Sequence, residues 1–560
     1  AVINWTPDDR NGTGTIDFLP VGKNARFTGL QDFTVLNRII PLDGNDIPIA
    51  RMIALNGTIT SDINGQQPGG NVWFYSPGGI LVGSTGVINV GSLVLSSRDI
   101  DTTGGLFGLN GEIRFRDPNL AGTDTARIEI ANGASITALN DISGSSYIAL
   151  VAPRIVQAGT INVEGSVALV AAEQADIRIN NGLFDINVLV GSSDSNGIVH
   201  TGTTGGPSDT SVDYESRAYF VAVPKNQAMT MLLSGTFGFE TVSTVTLSEG
   251  GIVLSAGYNV ANGTASTAAN GNTSASIQIG NATFRNELNA DATDSITGRP
   301  DFGASGPLGQ IQFRKDAALR AANAVDFSVG MSQSIIAGGN LTLRAGSPGV
   351  GGTVRLGIDS TPPPVGFPAG GGTIGVVSQL LLDANATGIT SVNNGAATAG
   401  TATIDVTSGQ LTAGSILARA NGTGGTTAAI IGAAGRGGTT TVTINGVGTV
   451  STSSLTLEAN GGSAPLIAFG GDGIGGSASV QVNDGTLAVS NTLSISALGV
   501  GQVGSNLSGH GTGGMAALRN SDGTINAATT VLDASGFGGG ILDQLANPLT
   551  PNTVAGGNGT

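Results

Sequence analysis

Side chains that do chemistry are sparse in this chain. It has two histidines, His200 and His510, and no cysteine. The histidines lie more than 300 residues apart, each in a Gly-, Ser- and Thr-rich stretch. That context predicts solvent-exposed loop histidines. A catalytic triad or a zinc site needs its partners at short fixed distances, and the sequence nominates none. The absence of cysteine excludes disulfides, thiolate nucleophiles and thiolate metal sites. Loop acids such as Asp43, Asp46, Asp472, Asp484 and Asp522 have the oxygen chemistry that calcium prefers. No G-G-x-G-x-D array repeats among them. Calcium is therefore the one cofactor left open, and no other is expected.

Two stretches, GDGIGG at Gly471 to Gly476 and GHGTGG at Gly509 to Gly514, fit G-x-G-x-x-G. A dinucleotide site needs a helix after the glycines to supply an anion-binding N-terminus. Neither stretch continues as a helix, and with 91 glycines such matches arise by chance. Polysaccharide-cleaving repeat proteins need clustered carboxylates with an Arg or Lys, projecting from neighbouring coils. Asp405, Asn445 and Asn483 fall at related positions of a repeat, without a basic partner in view. The densest charged cluster is RFRDPN, Arg114 to Asn119. No catalytic centre is expected.

The elements that position these residues are strands. Hydrophobic residues make up 39% of the 560, charged residues 11% and aromatics 4%. So much apolar content must be buried, yet too few large side chains exist for a thick core. Val, Ile, Leu, Ala, Thr and Ser with abundant Gly suit thin, repetitive β layers. The net charge is -16, and the only lysines are Lys23, Lys225 and Lys315. No basic patch exists to neutralise phosphates, which argues against a nucleic-acid partner. No apolar run is long enough to cross a membrane as a helix. The opening AVINWTPDD, without Met or basic residues, suits a mature secreted chain or a trimmed one.

Short β-branched runs such as GTIDFLPVG, ARIEIANG and VTLSEGGIVLSAG are each closed by Gly, Asn, Asp or Ser. Arg314 to Val325 reads either as a helix rich in Ala and Leu or as another coil with small inward residues. Four segments repeat near the C-terminal end. Their anchors Val406, Ile444, Val482 and Leu518 are 38, 38 and 36 residues apart. A second set, Ile416, Leu455, Leu493 and Val531, keeps the same beat. Each unit reads as strand, tight turn, strand and a long flexible Gly/Ala-rich loop. A period in this range without helix signals predicts a β-solenoid. The expected organisation is an N-terminal β-helix over 1–182, a hairpin subdomain or a few longer coils over 183–245, irregular coils over 246–398, repeats over 399–540 and a Gly/Pro-rich tail over 541–560.

The N-terminal motifs carry a family likeness. Asn4-Trp5 opens an entry strand, and Leu36-Asn37-Arg38 lies in a second. The stretch GGNVWFYSPGGILVGSTGVINVGSLVLSS, Gly69 to Ser97, holds the turn Ser76-Pro77-Gly78-Gly79-Ile80 and the strand Ile88-Asn89-Val90-Gly91-Ser92-Leu93-Val94. This order resembles the haemagglutination-activity domain of filamentous-haemagglutinin-like exoproteins, which use two-partner secretion. The family's turn is N-P-N-G-I; here it is S-P-G-G-I, and a type II turn is expected from Pro at its second and Gly at its third position. The DPNL at Asp117 to Leu120 mimics a family motif but follows that turn.

The resemblance implies a right-handed parallel β-helix; with the strand, repeat and loop signals above, the expected fold is all-β, with Gly-rich loops and a flanking insertion. It implies export through an outer-membrane transporter, to the exterior or cell surface of a Gram-negative bacterium. The expected function is non-enzymatic, adhesin-like or structural, with a host, cell-surface or matrix glycan or protein as partner. The alternatives are a subunit that self-assembles into a homopolymer by end-to-end stacking and, third, a polysaccharide-active enzyme.

Overall fold

The structure, a computed structural model, describes residues 1–10, 12–65, 68–108, 110–139, 146–180, 182–207, 216–240, 250–269, 274–301, 309–360, 370–426, 432–463 and 467–539. The expected tail at 541–560 lies outside the described residues. The chain divides into two compact units, Ala1–Asp294 with Phe313–Lys315, and Ser295–Gln312 with Asp316–Thr560. Among the described residues there is no α-helix. Both units are parallel β-helices.

In the first unit each coil passes through three parallel ladders. The first ladder runs through Val2–Trp5, Thr34–Ile39, Asn71–Tyr75, Ser92–Ser96, Tyr147–Ala152 and onward, so that Leu36, Trp73, Val94, Ala149, Ala168 and Tyr219 share one column. The second stacks Ile80, Ile128, Ile155 and Ile198, and the third Ile59, Ile88, Ile136 and Ile161. All eight isoleucines are buried. Strand side chains alternate in direction, so an apolar residue at every second position puts the same kind of residue inside on each rung. β-Branched side chains pack well in such columns.

Three excursions leave the helix at the corner that follows the first ladder. They are Asp99–Ile100 with Glu112–Arg116, the hairpin of Ser166–Asn180 with Leu183–Gly191, and the hairpin of Tyr258–Ala261 with Thr264–Ala268. They pair antiparallel with one another into a flanking sheet. Its inner face, including Ile113, Phe115, Ile177, Phe184 and Ile186, joins Trp73, Tyr75, Tyr147 and Tyr219 of the first ladder in one apolar cluster. The first ladder is thus covered on both faces, which explains its continuous apolar runs. Of the described residues in 183–245, expected as a hairpin subdomain or a few longer coils, only Leu183–Gly191 lies in the flank. Ile198–His200, Thr203–Gly206, Arg217–Ala222 and Met229–Phe239 are rungs of the helix.

The second unit also has three ladders. Arg314 to Val325 takes the coil alternative, with Ala317, Leu319 and Ala321 buried on one strand. Leu356, Ile404, Val442, Val480 and Leu518 share a column. Leu518 is therefore one column away from the expected anchor. The residue opposite Val482 is Asn520, which restores an even spacing. Likewise Leu493 faces Thr530, and Val531 is opposite Ser494 and half-exposed. The Gly/Ala-rich segments expected as flexible loops form further ladders, two of them long. One holds Ala386–Thr387, Gly422–Gly424, Gly461–Ser463, Gly499–Val500 and Gly536–Phe537; the other holds Ala397–Thr398, Gly435–Arg436, Gly473–Ile474 and Gly511–Thr512. They lie backbone against backbone. A Cβ on Gly473 would overlap the Val500 carbonyl, and one on Gly499 the Thr512 carbonyl. The glycine content here permits close approach of two sheets.

Candidate functional site

The motif residues meet on the first coils. The Ser76 N–H donates to the Ser96 carbonyl at 3.1 Å, and the Gly79 N–H donates to the Ser76 carbonyl at 3.0 Å, closing a four-residue turn. Positive φ falls on Gly79, at 101°, and not on Gly78. A type II turn requires it at the third residue, so the expected type II turn is not formed. Pro at the second position and Gly at the fourth match type I. Both glycines also clear space for neighbouring rungs. A Cβ on Gly78 would overlap the Arg51 backbone, and one on Gly79 the Arg127 carbonyl. Ile80, fully buried, stacks between Ile53 and Ile128.

Asn4 and Trp5 lie beside Arg38 and Ile39, and Leu36, Asn37 and Arg38 beside Trp73, Phe74 and Tyr75. A hydrogen-bonded chain crosses three rungs. Trp5 Nε1 donates to Asn37 Oδ1 at 3.1 Å, and Asn37 Nδ2 donates to the Trp73 carbonyl at 3.2 Å. Asn37 is fully buried, so this chain satisfies an amide that would otherwise be costly. Trp73 Nε1 donates onward to Tyr147 Oη at 3.0 Å. Burial pushes the Tyr147 phenol well above its ordinary range, keeping it neutral. Arg38 Nη2 donates to the Ile100 carbonyl at 2.6 Å and lies 3.2 Å from Asp99. Burial raises the Asp99 carboxyl while Arg38 opposes the shift. Arg38 thereby ties the flank to the helix. Asn89 and Gly91 stand apart from this column; Asn89 lies between Thr60 and Thr137, and the Gly91 N–H donates to Ser61 Oγ at 3.3 Å. The arrangement positions rungs and joins flank to helix.

The other chemical candidates do not resolve alike. His200 is not a loop residue. It ends the strand Ile198–His200 and is fully buried. Its Nδ1 is 2.7 Å from the Ser234 carbonyl and its Nε2 2.9 Å from Thr204 Oγ1. Its ring lies 4.1 Å from Phe237, which stacks in turn on Phe284 and that on Phe313. Burial lowers its pKa to about 4. The alternation of Ile198, Val199 and His200 is the signal that would have placed it inside. His510 is exposed, and its backbone N–H donates to Asp472 Oδ1 at 2.8 Å.

The two G-x-G-x-x-G stretches are rungs of a glycine ladder, with Gly473 opposite Gly511. Asp46, Asp484 and Asp522 adopt positive φ, and Asp43 Oδ1 accepts from the Asn45 and Ile47 amides, which lowers its carboxyl. These acids shape turns. Among the described residues no three His, Cys, Asp or Glu side chains are placed to hold a metal. Asp405 does have a basic partner, contrary to expectation. Arg355 Nε lies 3.4 Å from it, and the same guanidinium reaches Asp326 at 3.5 Å and Asp359 at 3.1 Å. Nor does Asp405 share a column with the asparagines. It faces Thr443, whereas Asn483 Nδ2 donates to Asn445 Oδ1 at 2.9 Å. In RFRDPN, Arg116 pairs with Asp176 at 2.6 Å and Asp117 Oδ1 caps the Asn119 amide at 2.9 Å.

One cluster was not legible in advance. Glu173 is buried and accepts from Lys225 Nζ and Ser193 Oγ, each at 2.6 Å. Ser193 and Lys225 are 20 and 52 positions from Glu173 along the chain, so only the fold unites them. No protein-family model matches this chain, and no curated protein matches it.

Proposed function

We propose that this chain is a secreted, non-enzymatic bacterial surface protein, adhesin-like in role and exported through an outer-membrane transporter. The observation that supports this most is the order of the motifs. Asn4-Trp5, Leu36-Asn37-Arg38 and Ser76 to Ile80 follow one another on successive coils of a parallel β-helix, as the likeness to filamentous-haemagglutinin exoproteins implies.

The test is protease shaving of intact native cells, followed by detection of the chain. Removal from undamaged cells is expected; full protection inside intact cells would sink the reading. Negative-stain imaging of the native material then separates an adhesin, seen as discrete particles, from a polymer subunit, seen as filaments with an axial repeat.

A further inference from the structure

In the second unit a groove of about 650 Å³ crosses four successive rungs, at residues 412–414, 451–453, 488–490 and 525–528. It follows the corner where each rung turns from the second ladder into the third. The ladder register slips there, between Thr452 and Ser454 and between Val489 and Thr492. Such slips bend strands and re-aim side chains. At about 4.8 Å per rung, the four rungs span about 14 Å. The groove is shallow and open along its length.

Thr412, Ser451, Ser453, Ser490 and Asn526 supply the polar groups of the groove. Ala413 and Val489, both buried, form its floor. No lining residue is charged, although the chain carries a net charge of -16. An anionic polymer needs cations to neutralise it, and a cationic one needs carboxylates. An extended peptide binds by adding to a sheet edge through main-chain hydrogen bonds. This groove crosses the strands instead of following an edge. Its ligand should be linear and uncharged, with hydroxyls for the rim and C–H faces for the floor.

We propose that the groove binds a neutral linear polysaccharide laid across the four rungs, about one sugar ring to a rung. This rests on the adhesin-like reading and names its partner class.

The test is affinity electrophoresis of the full chain in gels containing hydroxyethyl cellulose, soluble starch or dextran, with alginate as the anionic control. Retardation by at least one neutral polysaccharide and none by alginate is expected. Ser490→Trp, at an exposed position, fills the groove and abolishes retardation. Ser451→Ala with Ser490→Ala weakens it without adding bulk. Thr443→Trp, on another face, leaves it unchanged. Retardation by alginate alone, by no polysaccharide, or undiminished in a folded Ser490→Trp chain would overturn the proposal. Binding of unfolded casein that the same variant abolishes would assign the groove to a peptide and overturn it too. The gel needs no cell and no transporter. Failure of surface display therefore sinks only the surface reading, while a displayed chain that ignores every neutral polysaccharide sinks only the groove.

Discussion

His200 is the residue whose environment departs furthest from its sequence context. In the unfolded chain it titrates near its ordinary value of 6.5; in the fold its pKa is about 4. Between those values the unfolded state binds the proton first. Stability from this group is therefore complete above about pH 6.5 and falls as the pH drops toward 4. The total loss is about 3 kcal/mol. Urea midpoints at neutral pH and near pH 4 measure it, and His200→Leu should show a correspondingly shallower pH slope. An identical slope in the variant would mean that His200 is not the source. At the turn, Gly79→Ala combines positive φ with overlap on the Arg127 carbonyl. It should cost more than ~1 kcal/mol, read as a lower urea midpoint. A neutral effect would mean that the corner relaxes freely.

Among the elements, the paired glycine ladders are the most sensitive to side-chain volume. Gly473→Val places bulk against the Val500 backbone. The expected result is faster proteolysis within 422–476 while the far-UV spectrum of the three-ladder helix persists. Thr512→Val, at an exposed position of the same ladder, should be silent. Equal protease resistance in both variants would mean that the ladders are not tightly apposed. The strands themselves were legible, because the alternation in TATIDV and TTTVTIN is local and directly reports which residues face inside. The column assignment was not. Neighbouring inward columns are two residues apart, so placing Leu518 one column over preserves the whole in–out pattern. The slip between Val489 and Thr492 shifts register by one and turns Val531 outward, which no local alternation announces. The G-rich segments gave no alternation at all, since a glycine has no side chain to point either way.

At the scale of the whole molecule, each rung buries its faces on its neighbours, so stability is distributed along each unit. Trp5 and Trp73 are the only tryptophans, and both lie in the first unit. Tryptophan fluorescence therefore follows that unit, while far-UV circular dichroism follows every strand. The two urea transitions of the full chain should not coincide. Coincident transitions with one slope would show that the chain unfolds as a single block.

The sequence by itself determined the class: parallel β-helical rungs, with Val, Ile and Leu inside and Ser and Thr outside. That information is carried by period-two alternation and by turn residues, both of which act over a few positions. Only the tertiary structure decided which rungs meet. It buried His200 among phenylalanines, put Arg355 between three aspartates, joined Lys225 and Ser193 on Glu173, and folded the glycine segments into apposed ladders. Those outcomes depend on rung length and corner geometry, which set how residues tens of positions apart stack. Ser76 to Ile80 shows both sides: Pro and Gly announced a corner, but Arg51 and Arg127 on the adjacent rungs decided why its two glycines must be glycine.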